Sequence, residues 1–390
     1  MPGNTYHSIA ELDILFTPST MLLTPTTVTA IVAILEVSLV SGRPTERIGK
    51  RCTGTIASLS DVSAAVQCAT INIDAFTVPA GQTFDLECAT GTTINLLGDV
   101  TFAFSNWAGP FFQIAGTSVT FNGNGHTFNG QGALYWDGEG TSGGVTKPKF
   151  MKVKNSGIFR DLKILNGPAQ TFSIANTAPL TIDGITIDDS AGDAANSLSE
   201  GTAAARNTDG FDVSGSNLII QNSIIKNQDS CLSINQGTNI TFQNNQCSGG
   251  HGISIGSTLS DIVINNVNIL NNTVTNSDFC FRINMDAAEV GSTISGITYT
   301  NNTGSTIHKC GVLIDGSYPS TIGTPATGGV LSNVQFPSKD TISVDSTAYR
   351  VEVNCGVGAC TGTWDWSGLK VTGGLAGVIN YGGIIGYTSG

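Results

Sequence analysis

Residues 211–234 read FDVSGSNLIIQNSIIKNQDSCLSI, and two features of this stretch decide the fold. Phe211-Asp-Val213 and Leu232-Ser-Ile234 alternate apolar and polar residues with the two-residue period of a β-strand, and Leu218-Ile-Ile220 keeps apolar residues at the same two positions. The first and last of these also begin a series. Phe211-Asp-Val213, Leu232-Ser-Ile234, Ile253-Ser-Ile255, Phe281-Arg-Ile283 and Val312-Leu-Ile314 follow one another at intervals of 21, 21, 28 and 31 residues. Repeats of this length belong to stacked coils, none of which can bury its apolar face alone. A second set lies between them: Leu218-Ile-Ile220, Ile240-Thr-Phe242, Ile262-Val-Ile264 and Ile297-Thr-Tyr299. The Asn/Gly-rich turns suit tight corners, because Asn tolerates a left-handed backbone. The pattern predicts an all-β parallel β-helix with two or three strands per coil.

Stacking places equivalent residues one above another at about 4.8 Å. Two positions before each aligned strand stand Asp209, Ser230, His251, Phe279 and Cys310. The middle positions carry Asp212, Ser233, Ser254, Arg282 and Leu313. Both columns are expected to line one outer face. By periodicity alone that face reads as solvated polar surface.

Only 12% of the 390 residues are charged and 48 are glycine, a balance that favours short strands and tight turns. A net charge of −12 argues against nucleic acid as partner, and it disfavours a polyanion unless a local cationic patch overrides it. The nine cysteines form no CxxC pair and His is scarce, so disulfides in a secreted chain are expected and a structural metal or cofactor is not. Three sequons, at Asn239, Asn271 and Asn301, agree with that address.

Residues 1–51 differ in texture from the remainder. The apolar run at residues 28–40, interrupted by Glu36, is too short to span a membrane and resembles a signal-peptide core, with Val40-Ser-Gly42 as cleavage site. It lies far from Met1; a start at Met21 or an uncleaved anchor would account for that. Lys50-Arg51 then reads as a dibasic processing site, leaving a mature body of residues 52–390.

Four motifs stand in order within residues 207–284: Asn207-Thr-Asp-Gly-Phe-Asp212, Asn227-Gln-Asp-Ser-Cys231, Cys247-Ser-Gly-Gly-His-Gly-Ile253, and Arg282-Ile-Asn284. They resemble the ordered NTD, QDD, GHG and RIK signature of family 28 glycoside hydrolases, the polygalacturonases. The similarity runs from about Cys52 to the carboxyl end and includes Ala133-Leu-Tyr-Trp-Asp-Gly138 and Ala191-Gly-Asp193. The resemblance implies a single-stranded right-handed parallel β-helix, a pectin lyase-like solenoid. It also implies inverting hydrolysis of α-1,4-linked galacturonan, which needs an acid and a base roughly 6.5–9.5 Å apart. It assigns Asp229 as general acid, Asp209 as a carboxylate positioning water, and His251 as support for the acid. Arg282 would hold a substrate carboxylate, with Asn207, Asp212 and Asn284 also on the substrate side. It further implies the disulfides Cys52–Cys68, Cys231–Cys247 and Cys355–Cys360. Partners would be pectin and plant inhibitor proteins, with a secreted monomer as the working unit and no stable membrane association.

The chain departs from that pattern at four places. Ser230 replaces the second Asp of QDD, Asn284 replaces the Lys of RIK, Cys310 stands where the family has Tyr, and Cys280 where Gly is common. Losing the carboxylate at Ser230 is expected to lower the proton affinity of Asp229, and losing the lysine to weaken polyanion binding. Cys88, Cys280 and Cys310 are left over, and a Cys280–Cys310 bridge across adjacent coils is one pairing to test. Two readings follow: a hydrolase with altered catalysis, or a non-catalytic descendant that binds pectin or a protein partner. A lyase on the same fold is disfavoured, because its calcium-binding carboxylates and basic residue are not evident. Fold alone does not choose among them.

Overall fold

The computed structural model describes residues 49–388; the apolar run at residues 28–40 and its expected cleavage site lie outside them. The described chain winds as a parallel β-helix of three strand ladders. One coil shows the plan. Leu218–Gln221 lies in the first ladder, Ile224–Lys226 in the second and Leu232–Ile234 in the third, before the chain returns to the first at Gly237–Gln243. Each strand pairs in parallel with its equivalents in the coils below and above.

The third ladder follows the sequence repeat residue for residue. Phe211 pairs with Leu232, Leu232 with Ile253, Ile253 with Phe281 and Phe281 with Val312. All five are buried in one continuous core, where rings stack down the axis, Phe121 on Phe159 with centroids 4.3 Å apart. The first ladder departs from expectation at one rung. The strand Val263–Leu270 brings Val267, rather than Ile262, opposite Ile240 and Ile297. The lengthened strand begins inside the Ile262-Val-Ile264 triplet and runs on through Val267-Asn-Ile269, and Ile264 pairs with Gly237 instead.

The corners use the residue chemistry that the sequence promised. Asn217, Asn222, Asn239, Asn244, Asn271 and Asn301 all adopt positive φ, between 55° and 58°. Three disulfides close Cys52–Cys68, Cys231–Cys247 and Cys355–Cys360. Cys280 and Cys310 remain thiols. They do not meet, because Cys280 packs in the main core while Cys310 joins Phe279 and Leu313 in a separate cluster.

A buried polar row runs up one corner. Asn245, Asn272 and Asn302 each accept through Oδ1 the main-chain N–H of the residue one coil below. Through Nδ2 they donate to the carbonyls of Ile220, Phe242 and Ile269. Asp340 ends the row. Its Oδ1 accepts from the Asn302 main-chain N–H and from Asn302 Nδ2, and its Oδ2 is buried with no partner. Tyr299 stands next above Ile269, so by the repeat of the row its carbonyl is the group that an amide at position 340 is expected to meet. A protonated carboxyl can fill this role; a carboxylate cannot. Burial pushes the Asp340 carboxyl up to about 6 against the hydrogen bonds from Asn302.

The native chain thus holds this proton more tightly than the unfolded one, and stability should fall as pH rises from about 4 through about 6. Asp340→Asn is expected to stabilise the fold at pH 7.5 by ~1–3 kcal/mol, with the gain fading near pH 4. Urea unfolding at the two pH values measures it. An equal effect at both would show that this proton plays no part.

Candidate active site

The site lies on the outer face of the third ladder and in the corner that precedes it. Asp229 sits in the turn between Ile224–Lys226 and Leu232–Ile234. Buried Asn227 fixes that turn by donating to the carbonyls of Thr208 and Ser230. The Asp229 carbonyl accepts the His251 main-chain N–H at 3.0 Å, tying two coils together. That approach explains the glycines around the histidine. A Cβ on Gly250 would lie 2.0 Å from the Asp229 carbonyl oxygen, and one on Gly252 would lie 2.1 Å from that of Phe279.

Three donors converge on the Asp229 carboxylate. Asn207 Nδ2 reaches Oδ2 at 3.0 Å and the Ser230 main-chain N–H reaches Oδ1 at 2.7 Å. His251 Nδ1 lies 2.8 Å from Oδ1. On its far side, His251 Nε2 is 3.6 Å from Asp278, which Lys309 holds at 2.8 Å. Arg282 is anchored from beneath: Nε donates to Ser254 Oγ and Nη2 to Ser230 Oγ, each at 3.2 Å. Its guanidinium carbon stands 5.2 Å from the Phe279 ring centroid. Asp209, Asp212, Asp229, His251 and Arg282 share a groove of about 570 Å³.

The two expected columns are therefore only partly solvent-facing. Ser230 and Ser233 are buried within the groove lining, Ser254 is buried outside it, and Phe279, Cys310 and Leu313 make an apolar cluster. Asn284, expected on the substrate side, is 5% exposed and lies outside the groove lining, beside Asp315 of the next coil. Asn207 lines the groove but both ends of its amide are engaged, Nδ2 with Asp229 and Oδ1 with Thr141. Tyr318, Gln170, Ser142 and Asn235 also line the groove, and no motif pointed to them. They come from loops and coils outside the aligned motifs. The thiol of Cys310 is pushed up strongly by burial and by Glu352, which favours the protonated thiol.

The charges sort the carboxylates. Burial, then the charges of Asp229 and Asp212, push Asp209 well above the usual carboxylate range. Burial likewise raises Asp212 to about 6, opposed by Lys149 and assisted by Asp229. Asp229 is buried too, but hydrogen bonding and charge from His251, with the Ser230 amide and Arg282, outweigh burial and hold it below its ordinary value. The groove combines a carboxylate that favours ionisation, a neighbour that retains a proton, and a cation. That combination can move a proton in each direction across a bound ligand.

Comparison with known proteins agrees with this chemistry. The sequence model described as Glycosyl hydrolases family 28 matches residues 68–381. A probable endopolygalacturonase of Aspergillus fumigatus is 40% identical over 350 residues, covering 85% of this chain and 89% of the relative. A polygalacturonase of Saccharomyces cerevisiae is 43% identical, over 87% and 91% of the two chains. The solved endopolygalacturonase I of Stereum purpureum, in complex with two galacturonates, is 47% identical with a TM-score of 0.81, over 85% of this chain and 97% of that one.

Proposed function

Since the chain belongs to family 28 of the glycosyl hydrolases, we propose that its groove hydrolyses the α-1,4-galacturonosyl bonds of polygalacturonate with inversion. The observation that carries this reading is the Asp229 carboxyl, held by His251, Asn207 and the Ser230 amide in a groove shared with Asp209 and Arg282. Arg282 leans on two serines and leaves Nη1 for a sugar carboxylate. A carboxylate placed there cancels the positive charge that helps to hold Asp229 ionised, so substrate binding itself raises the affinity of Asp229 for a proton. The proton that Asp209 retains in the free groove then passes to Asp229, which gives it to the leaving glycosidic oxygen. Water attacks C1 from the opposite face and passes its proton to the Asp209 carboxylate, which returns both carboxyls to their starting states.

The same reading makes the protein secreted and extracellular, a monomer that meets pectin and plant inhibitor proteins. Residues 1–51 would be a leader removed after Lys50-Arg51. In support, both basic residues are exposed, and the first strand changes register between Lys50 and Thr53. Asn239, Asn271 and Asn301 are exposed as glycan acceptors must be.

Polygalacturonate and its fully methyl-esterified form together test the proposal. The purified chain should release new reducing ends from the acid polymer at least ~10-fold faster, because only that polymer presents a charge to Arg282. A pectin-binding protein without catalysis would retain the polymer and release none. Equal rates on both polymers would remove Arg282 from substrate recognition.

A further inference from the structure

Residues 137–147 form a loop beside the groove, tied off by a buried ion pair. Lys147 Nζ lies 2.8 and 2.9 Å from the two Asp137 oxygens, and the residues are 6% and 8% exposed. Every remaining capacity is used inside the loop. Lys147 Nζ also donates to the Val145 carbonyl at 2.9 Å and the Gly143 carbonyl at 3.4 Å. Asp137 accepts the main-chain N–H groups of Glu139 at 3.0 Å and Val145 at 2.9 Å. Burial raises the Asp137 carboxyl, but Lys147 and these amides outweigh it and hold it below its ordinary value. A buried pair satisfied so fully specifies one loop conformation, and removing one partner would leave an uncompensated charge.

That conformation reaches the Asp229 carboxylate through Thr141 and Asn207. The Thr141 main-chain N–H donates to Asn207 Oδ1 at 3.0 Å and the Thr141 hydroxyl does so at 3.2 Å. An amide whose oxygen is held by two donors must turn its nitrogen the other way, and Asn207 Nδ2 lies 3.0 Å from Asp229 Oδ2. The fit allows no side chain between loop and amide. Gly140 has φ of +58°, and a Cβ there would lie 2.3 Å from Asn207 Oδ1.

We propose that the Asp137–Lys147 pair is a positioning device that, through Thr141 and Asn207, fixes the orientation and the proton affinity of Asp229. The inference deepens the hydrolase reading and rests on it for the catalytic consequence only. A donor on the ionised form of a carboxyl favours that form. Loosening the loop should therefore raise the proton affinity of Asp229 while spoiling its aim.

Gly140→Ala tests this without touching the ion pair, and Lys147→Met tests it at the pair itself. For Gly140→Ala we expect kcat to fall about 10-fold or more with KM changed less than ~3-fold, and the alkaline limb of the rate profile to move to higher pH. The Asp229 carboxyl titration, followed by NMR, should move in the same direction whether or not the chain turns over polymer. A titration moved by Gly140→Ala, with no turnover by the wild-type chain, would uphold the positioning and sink the hydrolase reading. An unmoved titration and an unmoved alkaline limb in folded Gly140→Ala would overturn the positioning alone. If Lys147→Met does not fold, Gly140→Ala still decides.

Discussion

Asp229→Asn should abolish nearly all turnover of polygalacturonate, lowering kcat by ~10³- to 10⁴-fold. The substitution keeps the volume of the side chain and an oxygen to accept the Ser230 amide, so the corner between Ile224–Lys226 and Leu232–Ile234 should fold as before. What is lost is the ability to hold and release a proton beside the leaving oxygen. In the proposed mechanism Asp209 cannot take over, because there it serves the water on the other face and a second carboxyl is needed for inversion.

The pH profile carries the same argument. Burial raises Asp212 to about 6 and pushes Asp209 well above the usual carboxylate range, so the cluster keeps a shared proton in mildly acidic solution and surrenders it as pH rises past about 6. Turnover by the wild-type chain should therefore decline as pH rises beyond about 6. Initial rates from pH 4 to 8 on purified wild type and variant measure both effects. A variant within ~10-fold of wild type would remove Asp229 from the acid role.

The second large effect expected is a gain. Ser230→Asp should raise kcat by ~10-fold or more and carry the alkaline limb to higher pH. Ser230 is buried, donates to Ser254 Oγ at 3.0 Å and accepts from Arg282 Nη2 at 3.2 Å. A carboxylate in its place would pair with Arg282 and set a second negative charge next to Asp229. That charge makes Asp229 keep its proton longer, and it adds an acceptor to orient the attacking water. The larger side chain needs room, which Arg282 can provide by moving into the groove. Restoring a lysine at Asn284 is a weaker experiment, since that side chain is buried outside the groove lining. Steady-state kinetics on folded Ser230→Asp decide the matter. If kcat is unchanged or lower, the serine is not the group that limits this site.

Legibility followed the physics of the repeat. Strands of the third ladder were readable because a buried apolar residue at every second position tolerates no slip of register. The same rule misled at Ile262-Val-Ile264. There the chain carries two apolar triplets in succession, and alternation cannot tell which one continues the ladder. Asp209, Asp229, His251 and Arg282 could be placed in one groove because each occupies an ordered motif at coil spacing.

Tyr318, Gln170 and Ser142 lay beyond reach, since no aligned motif contains them. Asn284 was placed on the substrate side by motif, yet burial depends on what covers a strand, which the strand's own sequence does not contain. The Asp137–Lys147 clamp was invisible for a related reason. Its members are ten residues apart in a Gly-rich loop, and only the folded loop brings their charges together.

The most direct test of the central claim is the anomeric form of the first product. Proton NMR recorded during the opening minutes of oligogalacturonate cleavage should show the new reducing end as the β-anomer, before mutarotation mixes the two, as attack opposite the leaving group requires. An α-anomer at the earliest times, or no new reducing end at all from a folded chain, would contradict the assignment of Asp229 and Asp209 as acid and base across one groove.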